Sequence, residues 1–270
     1  MRLQFSRVIL WLKGVLPLRR QARIAARVVP ARLRYRFALA ASRWQGRVMK
    51  QLGRNGALTE ALMLDHWIRE LTFEGPFPIP WRLHGRETLE RYSVPGPVLY
   101  YSTHVPLGQI PLSVLSELGY PLPVPIADRG LIVDGERFLV LCTAERVPAL
   151  SADLHSLARM RTTLQRGTSV SCLMDRDLGG EGQFINPLRL CGRLGVPVLF
   201  TWAEMGVDSV IDVTFCPSPH PMCETEEAIA ENVKALLEIT DRILERFGVA
   251  GSAPHAFAKM RRRGGEACVK

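Results

Sequence analysis

Two short stretches carry the residue types that proton transfer and anion binding need. The first is Ser102-Thr103-His104-Val105-Pro106-Leu107-Gly108-Gln109. A histidine that leaves a strand and enters a loop before a helix can present a half-exposed imidazole, able to take a proton from a hydroxyl. The second is Cys172-Leu173-Met174-Asp175-Arg176-Asp177-Leu178-Gly179-Gly180-Glu181-Gly182-Gln183-Phe184. Asp175-Arg176-Asp177, closing a strand and opening into glycines, gathers charge and backbone N–H groups at one strand end, which suits a polar or phosphorylated substrate. Residue type alone also fits an incidental histidine and a solvated charged turn. If the stretches act together, Asp175 or Asp177 must lie on the same face as His104.

The flanking pattern alternates strand and helix from about residue 95 onward. Residues 97–103 (PVLYYST) read as a short strand, and a helix around 112–118 ends at Gly119. Residues 122–127 and 169–174 are further strand candidates, the second preceded by a helix that Asp153 caps and Gly167 closes after about Gln165. Residues 196–202 and 209–215 read as two more strands. From Glu226 to Phe247 the apolar positions Ile229, Val233, Leu236, Ile243 and Phe247 share one helical face, with Gly248 as the stop. Strand and helix in this order predict an α/β fold: a central mixed or parallel sheet flanked by helices, with active residues just past the carboxyl ends of strands.

Other residues that could do chemistry lack the surroundings for it. Ser102 and Thr103 sit in no Gly-x-Ser-x-Gly elbow, which argues against their use as nucleophiles. Gly179-Gly180-Glu181-Gly182 has no Lys-Ser/Thr after it, so it does not read as a phosphate loop. His66, His84, His155 and His220 share no metal-ligand spacing with one another or with cysteine. The six cysteines, Cys142, Cys172, Cys191, Cys216, Cys223 and Cys268, form no CxxC pair and point to neither zinc nor a disulfide framework, consistent with a reducing cytoplasmic setting. Trp11, Trp44, Trp67, Trp81 and Trp202 read as core or interface anchors.

The formal charge of +9 is concentrated at one end. Residues 1–50 hold thirteen Lys or Arg and no Asp or Glu, whereas the remainder holds 22 basic against 26 acidic residues. Interleaved apolar residues, from Val8 and Trp11 to Tyr35 and Leu39, favour an anionic membrane surface over nucleic acid as the partner of this segment. The apolar run 8–18 is broken by Lys13 and too short to span a bilayer, and no signal-peptide pattern is visible. The division expected is therefore 1–50, a basic amphipathic membrane-surface segment, and 51–270, an α/β domain.

Taken in order, these stretches resemble the late lipid A acyltransferases of the lysophospholipid acyltransferase superfamily, over about residues 81–263. The resemblance is carried by Gly85-Arg86-Glu87, by the strand ending in His104, and by the strand ending in Asp175-x-Asp177 with glycines and Phe184 after it. The strand Gly195-Val196-Pro197-Val198-Leu199 and the Pro254-His255 stretch leading to Arg261-Arg262-Arg263 complete it. It implies transfer of a fatty acyl group from a thioester on acyl carrier protein or coenzyme A to a hydroxyl of a lipid or glycolipid. The setting implied is peripheral, on the cytoplasmic face of the bacterial inner membrane. The donor is a cosubstrate, and no metal, nucleotide cofactor or nucleic acid is implied.

In that family a His-x4-Glu or Asp dyad moves the proton, and His104 matches its histidine. Gln109 stands where the acid belongs. An amide can hold a tautomer by accepting an N–H but cannot stabilise imidazolium by charge. Three outcomes stay open: Gln109 suffices, Asp175 or Asp177 replaces the carboxylate, or the chain is an impaired, lipid-binding relative. Arg176 is the first candidate to hold an oxyanion or substrate phosphate, with Asp177 beside it, and Arg137 is the second. A fixed cation aimed at developing charge lowers a barrier by about 3 kcal/mol.

Overall fold

The computed structural model describes residues 17–94, 96–103, 105–127, 130–153, 155–174 and 185–249. Within them the fold is α/β, with eight described helices and a mixed seven-stranded sheet. The described residues divide into two compact units, one drawn from 17–79 and 142–144 and the other from 80–141 and 145–249.

The first unit is helical: α1 (Leu18–Val28), α2 (Ala31–Gln51) and α3 (Gly56–Thr72). Proline residues set the starts of α1 and α2, because Pro17 and Pro30 hold extended backbone just outside each helix. Asn55 caps α3 by accepting the Leu58 N–H at 2.9 Å. Helices α2 and α3 meet at glycines: a Cβ on Gly46 would stand 2.6 Å from the Gly56 carbonyl oxygen, and one on Gly56 2.5 Å from that of Gly46. Phe37 and Trp67 pack edge to face, with centroids 5.2 Å apart. This unit continues past the basic segment of 1–50 to Ile79. No described helix is long and apolar enough to cross a membrane.

The second unit holds the sheet. Its strands are β1 (Trp81–His84), β2 (Leu99–Thr103), β3 (Val124–Ala127), β7 (Leu150–Ser151), β8 (Val170–Met174), β9 (Val198–Met205) and β10 (Ile211–Pro217), in the order β1-β10-β9-β2-β8-β3-β7. Strands β9, β2, β8, β3 and β7 are parallel, while β10 and β1 run the other way. Four short or medium helices, α4 (Arg86–Tyr92), α5 (Ile110–Glu117), α6 (Ser156–Gln165) and α7 (Ile185–Leu194), and the long α8 (Glu226–Glu245) complete it. A three-stranded antiparallel sheet, β4 (Leu131–Val133), β5 (Glu136–Val140) and β6 (Arg146–Pro148), fills most of the excursion between β3 and β7.

All five residues of β2 are buried, because helices cover both faces of the sheet there. On one face Leu99 and Tyr101 join Met160, Leu188, Cys191, Leu236 and Ile243 in one apolar cluster. On the other, Tyr100 packs edge to face on Phe215 and donates its hydroxyl hydrogen to Ser93 Oγ at 2.7 Å. Burial pushes the Tyr100 phenol up to about 12, partly offset by that hydrogen bond.

Most element expectations hold within a few residues, and one local reading changes. Helix α6 begins at Ser156, and its cap position is His155, whose backbone N–H donates to Asp153 Oδ1 at 2.8 Å. Asp153 thus closes the turn that leads into the helix, supported by an ion pair to Arg159, and does not cap the helix itself.

Candidate functional site

The sheet sets the geometry of the site. Strands β2 and β8 are parallel neighbours, and their last residues, Thr103 and Met174, are register partners. The chain therefore leaves both strands at the same end of the sheet, the carboxyl end where open α/β sheets bind ligands. Thr103 and Ser102 are buried beneath that end, 2% and 3% exposed. His104, Asp175, Arg176 and Asp177, the residues that follow these strands in sequence, lie outside the described residues.

Gln109 is described. It occupies the position just before α5, with αR backbone angles, and its half-exposed side chain makes no capping hydrogen bond to the helix. The turn before it holds Leu107 at φ 69°, a left-handed conformation that a branched apolar residue rarely adopts, with the Ile110 N–H donating to the Leu107 carbonyl at 3.0 Å. Val105 and Leu107 are buried, 6% and 3% exposed, so this turn is fastened to the core by its apolar side chains. Arg137 falls on β5, in the three-stranded sheet, with Ile132 opposite it. It is not on a strand of the seven-stranded sheet that carries β2 and β8.

The same end of the sheet carries charges that sequence reasoning did not single out. Glu204, near the end of β9, lies 2.6 Å from an Arg246 guanidinium nitrogen, a charge contact in which the N–H is not directed along the oxygen. Its register partner Asp212 takes a 3.0 Å hydrogen bond from Arg82 and stands 3.1 Å from His84 Nε2. Arg82 also donates to Asp208 at 2.6 Å. Nothing in the sequence announces this cluster, because β1 and β10 bring together residues about 130 positions apart. Beside it, the Arg242 guanidinium lies 5.7 Å from the Trp202 ring centroid, and the buried Trp202 Nε1 and Thr201 Oγ1 have no hydrogen-bond partner.

Four of the five described cysteines are poor candidates for a competing nucleophile. Burial raises the Cys172, Cys191 and Cys223 thiols well clear of neutrality, and Cys216 up to about 11, which keeps all four protonated. Among the described residues no three metal-ligating side chains converge.

A fold with charged side chains gathered at the carboxyl end of a sheet defines a class, α/β proteins whose ligand sites lie outside strand ends, and that class hosts many chemistries. Comparison with known proteins narrows it no further: no protein-family model and no curated protein matches the chain.

Proposed function

We propose that the protein is an O-acyltransferase that moves a fatty acyl group from an acyl carrier protein or coenzyme A thioester to a hydroxyl of a lipid or glycolipid at a membrane surface. The observation that carries this reading is the register pairing of Thr103 with Met174, which joins the ends of the two strands that precede His104 and Asp175-Arg176-Asp177 in sequence. In the proposed reaction His104 accepts the acceptor hydroxyl proton as its oxygen attacks the thioester carbonyl carbon. The tetrahedral oxyanion then collapses, the carbon–sulfur bond breaks, and the thiolate leaves and is protonated. Arg176 is the cation proposed for the oxyanion or a lipid phosphate, with Asp177 and then Arg137 as further substrate contacts. Asp175 is the carboxylate proposed to act with His104 where Gln109 has none to give. The donor thioester is a cosubstrate, and the reaction scheme requires neither a metal nor nucleic acid.

A second reading is favoured by Gln109 itself. An amide with no capping role at the dyad position is consistent with a lipid-binding protein that has lost acyl transfer. Thioester turnover by purified protein, with acyl carrier protein and coenzyme A donors against an extracted lipid mixture, separates the two. Turnover that disappears in His104→Ala supports the enzyme, and lipid binding without turnover supports the relic. Attachment is proposed to be peripheral, through the basic amino-terminal helices on the cytoplasmic face of an anionic inner membrane.

A further inference from the structure

The helical unit exposes an apolar and cationic corner where α1 turns into α2. Along α1, Gln21, Ala22 and Ala25 are buried, while Arg20, Ile24, Arg27 and Val28 fall on the opposite stripe at helical spacing. Val28 is 72% exposed and Ile24 36%, and Leu33, one turn beyond Pro30, is 39% exposed. Neither helix has an acidic residue in its first turn.

Charge compensation stops short of this corner. Arg23 pairs with Glu74 at 3.3 Å, and Arg34 donates to the carbonyls of Ala26, Glu74 and Gly75. The side chains of Arg20, Arg27, Arg32 and Arg36, by contrast, have no ion-pair or hydrogen-bond partner among the described residues. Exposed aliphatics beside unpaired cations are costly in water and complementary to one environment, an anionic lipid interface with phosphates above and acyl chains below. A nucleic acid would use the arginines and leave the aliphatics wet.

We propose that the α1–α2 elbow is the bilayer-docking surface, with Ile24, Val28 and Leu33 entering an anionic leaflet while Arg20, Arg27, Arg32 and Arg36 bind its phosphates. The proposal rests on the peripheral attachment read above and assigns it to particular side chains. Arginine stems of this length reach phosphates while their methylenes cover apolar surface. Each cation near an anionic surface strengthens partitioning about fivefold at moderate salt, so removing two weakens it about 25-fold.

The test uses the full chain with phosphatidylcholine vesicles and with equal mixtures of phosphatidylcholine and phosphatidylglycerol. Val28→Trp should show a blue shift and added quenching by brominated acyl chains, above the wild-type tryptophan background, on the anionic vesicles only. Leu52→Trp, equally exposed at the far end of α2, should show neither. Arg27→Gln with Arg32→Gln should lower cosedimentation about 25-fold and flatten its salt dependence. If wild type cosediments while Val28→Trp stays unquenched and the arginine pair is neutral, the elbow is refuted and peripheral attachment stands. If no form cosediments with either vesicle, both are refuted. Binding to a DNA duplex with a steep salt dependence, and to vesicles only weakly, would assign the arginines to nucleic acid and overturn the proposal.

Discussion

Replacing Gly85 by alanine should destabilise the protein by about 2–5 kcal/mol, for two separable reasons. Gly85 joins β1 to α4 in a left-handed conformation, φ 85° and ψ 38°, which costs an L-residue about 1–2 kcal/mol. Its backbone also lies against β10: an added Cβ would stand 1.8 Å from the Phe215 carbonyl oxygen, where real contacts do not fall below 3.0 Å. Relief needs a backbone shift of more than an ångström between a fully buried strand residue and the start of α4, an overpacking cost of about 1–3 kcal/mol. Gly119 serves as the control, because it has φ 73° and nothing within 4 Å of its Cβ position. Gly119→Ala should lose only the conformational part. Thermal unfolding reads the difference: at about 2–4 °C per kcal/mol, Gly85→Ala should melt roughly 4–20 °C below wild type and clearly below Gly119→Ala. Equal melting of the two variants would refute the close-approach argument and leave backbone conformation as the only reason for glycine at 85.

Acid should remove a modest, identifiable part of the stability. Arg189 holds the Glu226 carboxyl low through two 2.7 Å hydrogen bonds, the His155 N–H and Arg159 do so for Asp153, and the Val210 N–H and Arg82 for Asp208. Their stabilisation is complete above the ordinary carboxylate range near pH 4 and is lost as pH falls through the lowered folded values; Glu226→Gln should flatten the melting profile there, and an unchanged profile would discount the pair. The raised thiols act in the opposite direction. Their contribution is whole below about pH 8.5, the unfolded value, and is lost as pH climbs through the raised folded values, so in native protein Cys172, Cys191, Cys216 and Cys223 should react slowly with a thiol reagent at pH 8 until denaturant exposes them. Rapid native-state labelling of Cys172 or Cys191 would contradict their burial. Salt should weaken attachment to anionic vesicles. Charge substitutions test this more cleanly than removal of residues 1–50, which would also strip α2 from its glycine contact with α3; attachment that ignores both salt and arginine loss would exclude the electrostatic anchor.

The fold was legible where periodicity is long or burial is two-sided. The run Val98–Tyr101 is apolar and aromatic because both faces of the strand it leads into are covered, and the helix Glu226–Glu245 repeats its apolar face over five turns and is capped by Thr225, whose side chain accepts the Ala228 N–H. Short elements were not legible. Strand β1 has four residues at the edge of the sheet, and its alternating half-burial is too brief to register as a pattern. The three-stranded sheet within residues 131–148 turns on Asp134 and Gly135, both at positive φ, in a stretch without clear alternation. At the site, the order of strand, histidine, strand and aspartates could be read from sequence, and the pairing of β2 with β8 could only be inferred. The Arg82, His84, Asp208 and Asp212 cluster was hidden, because each member alone is an ordinary surface residue and only the parallel pairing of β1 with β10 brings them together.

The central claim turns on one residue pair and one assay. Acyl transfer from a carrier-protein or coenzyme A thioester to extracted lipid should fall about 100-fold or more in His104→Ala, with melting temperature and vesicle binding unchanged. Gln109→Glu places a carboxylate at the dyad position and raises the imidazole pKa if the two side chains meet. It should speed transfer if Gln109 is a weakened partner of His104, and slow it if Asp175 or Asp177 already fills that role. Identical background turnover in wild type, His104→Ala and Gln109→Glu with every acceptor tried would contradict acyl transfer and leave lipid binding as the better account.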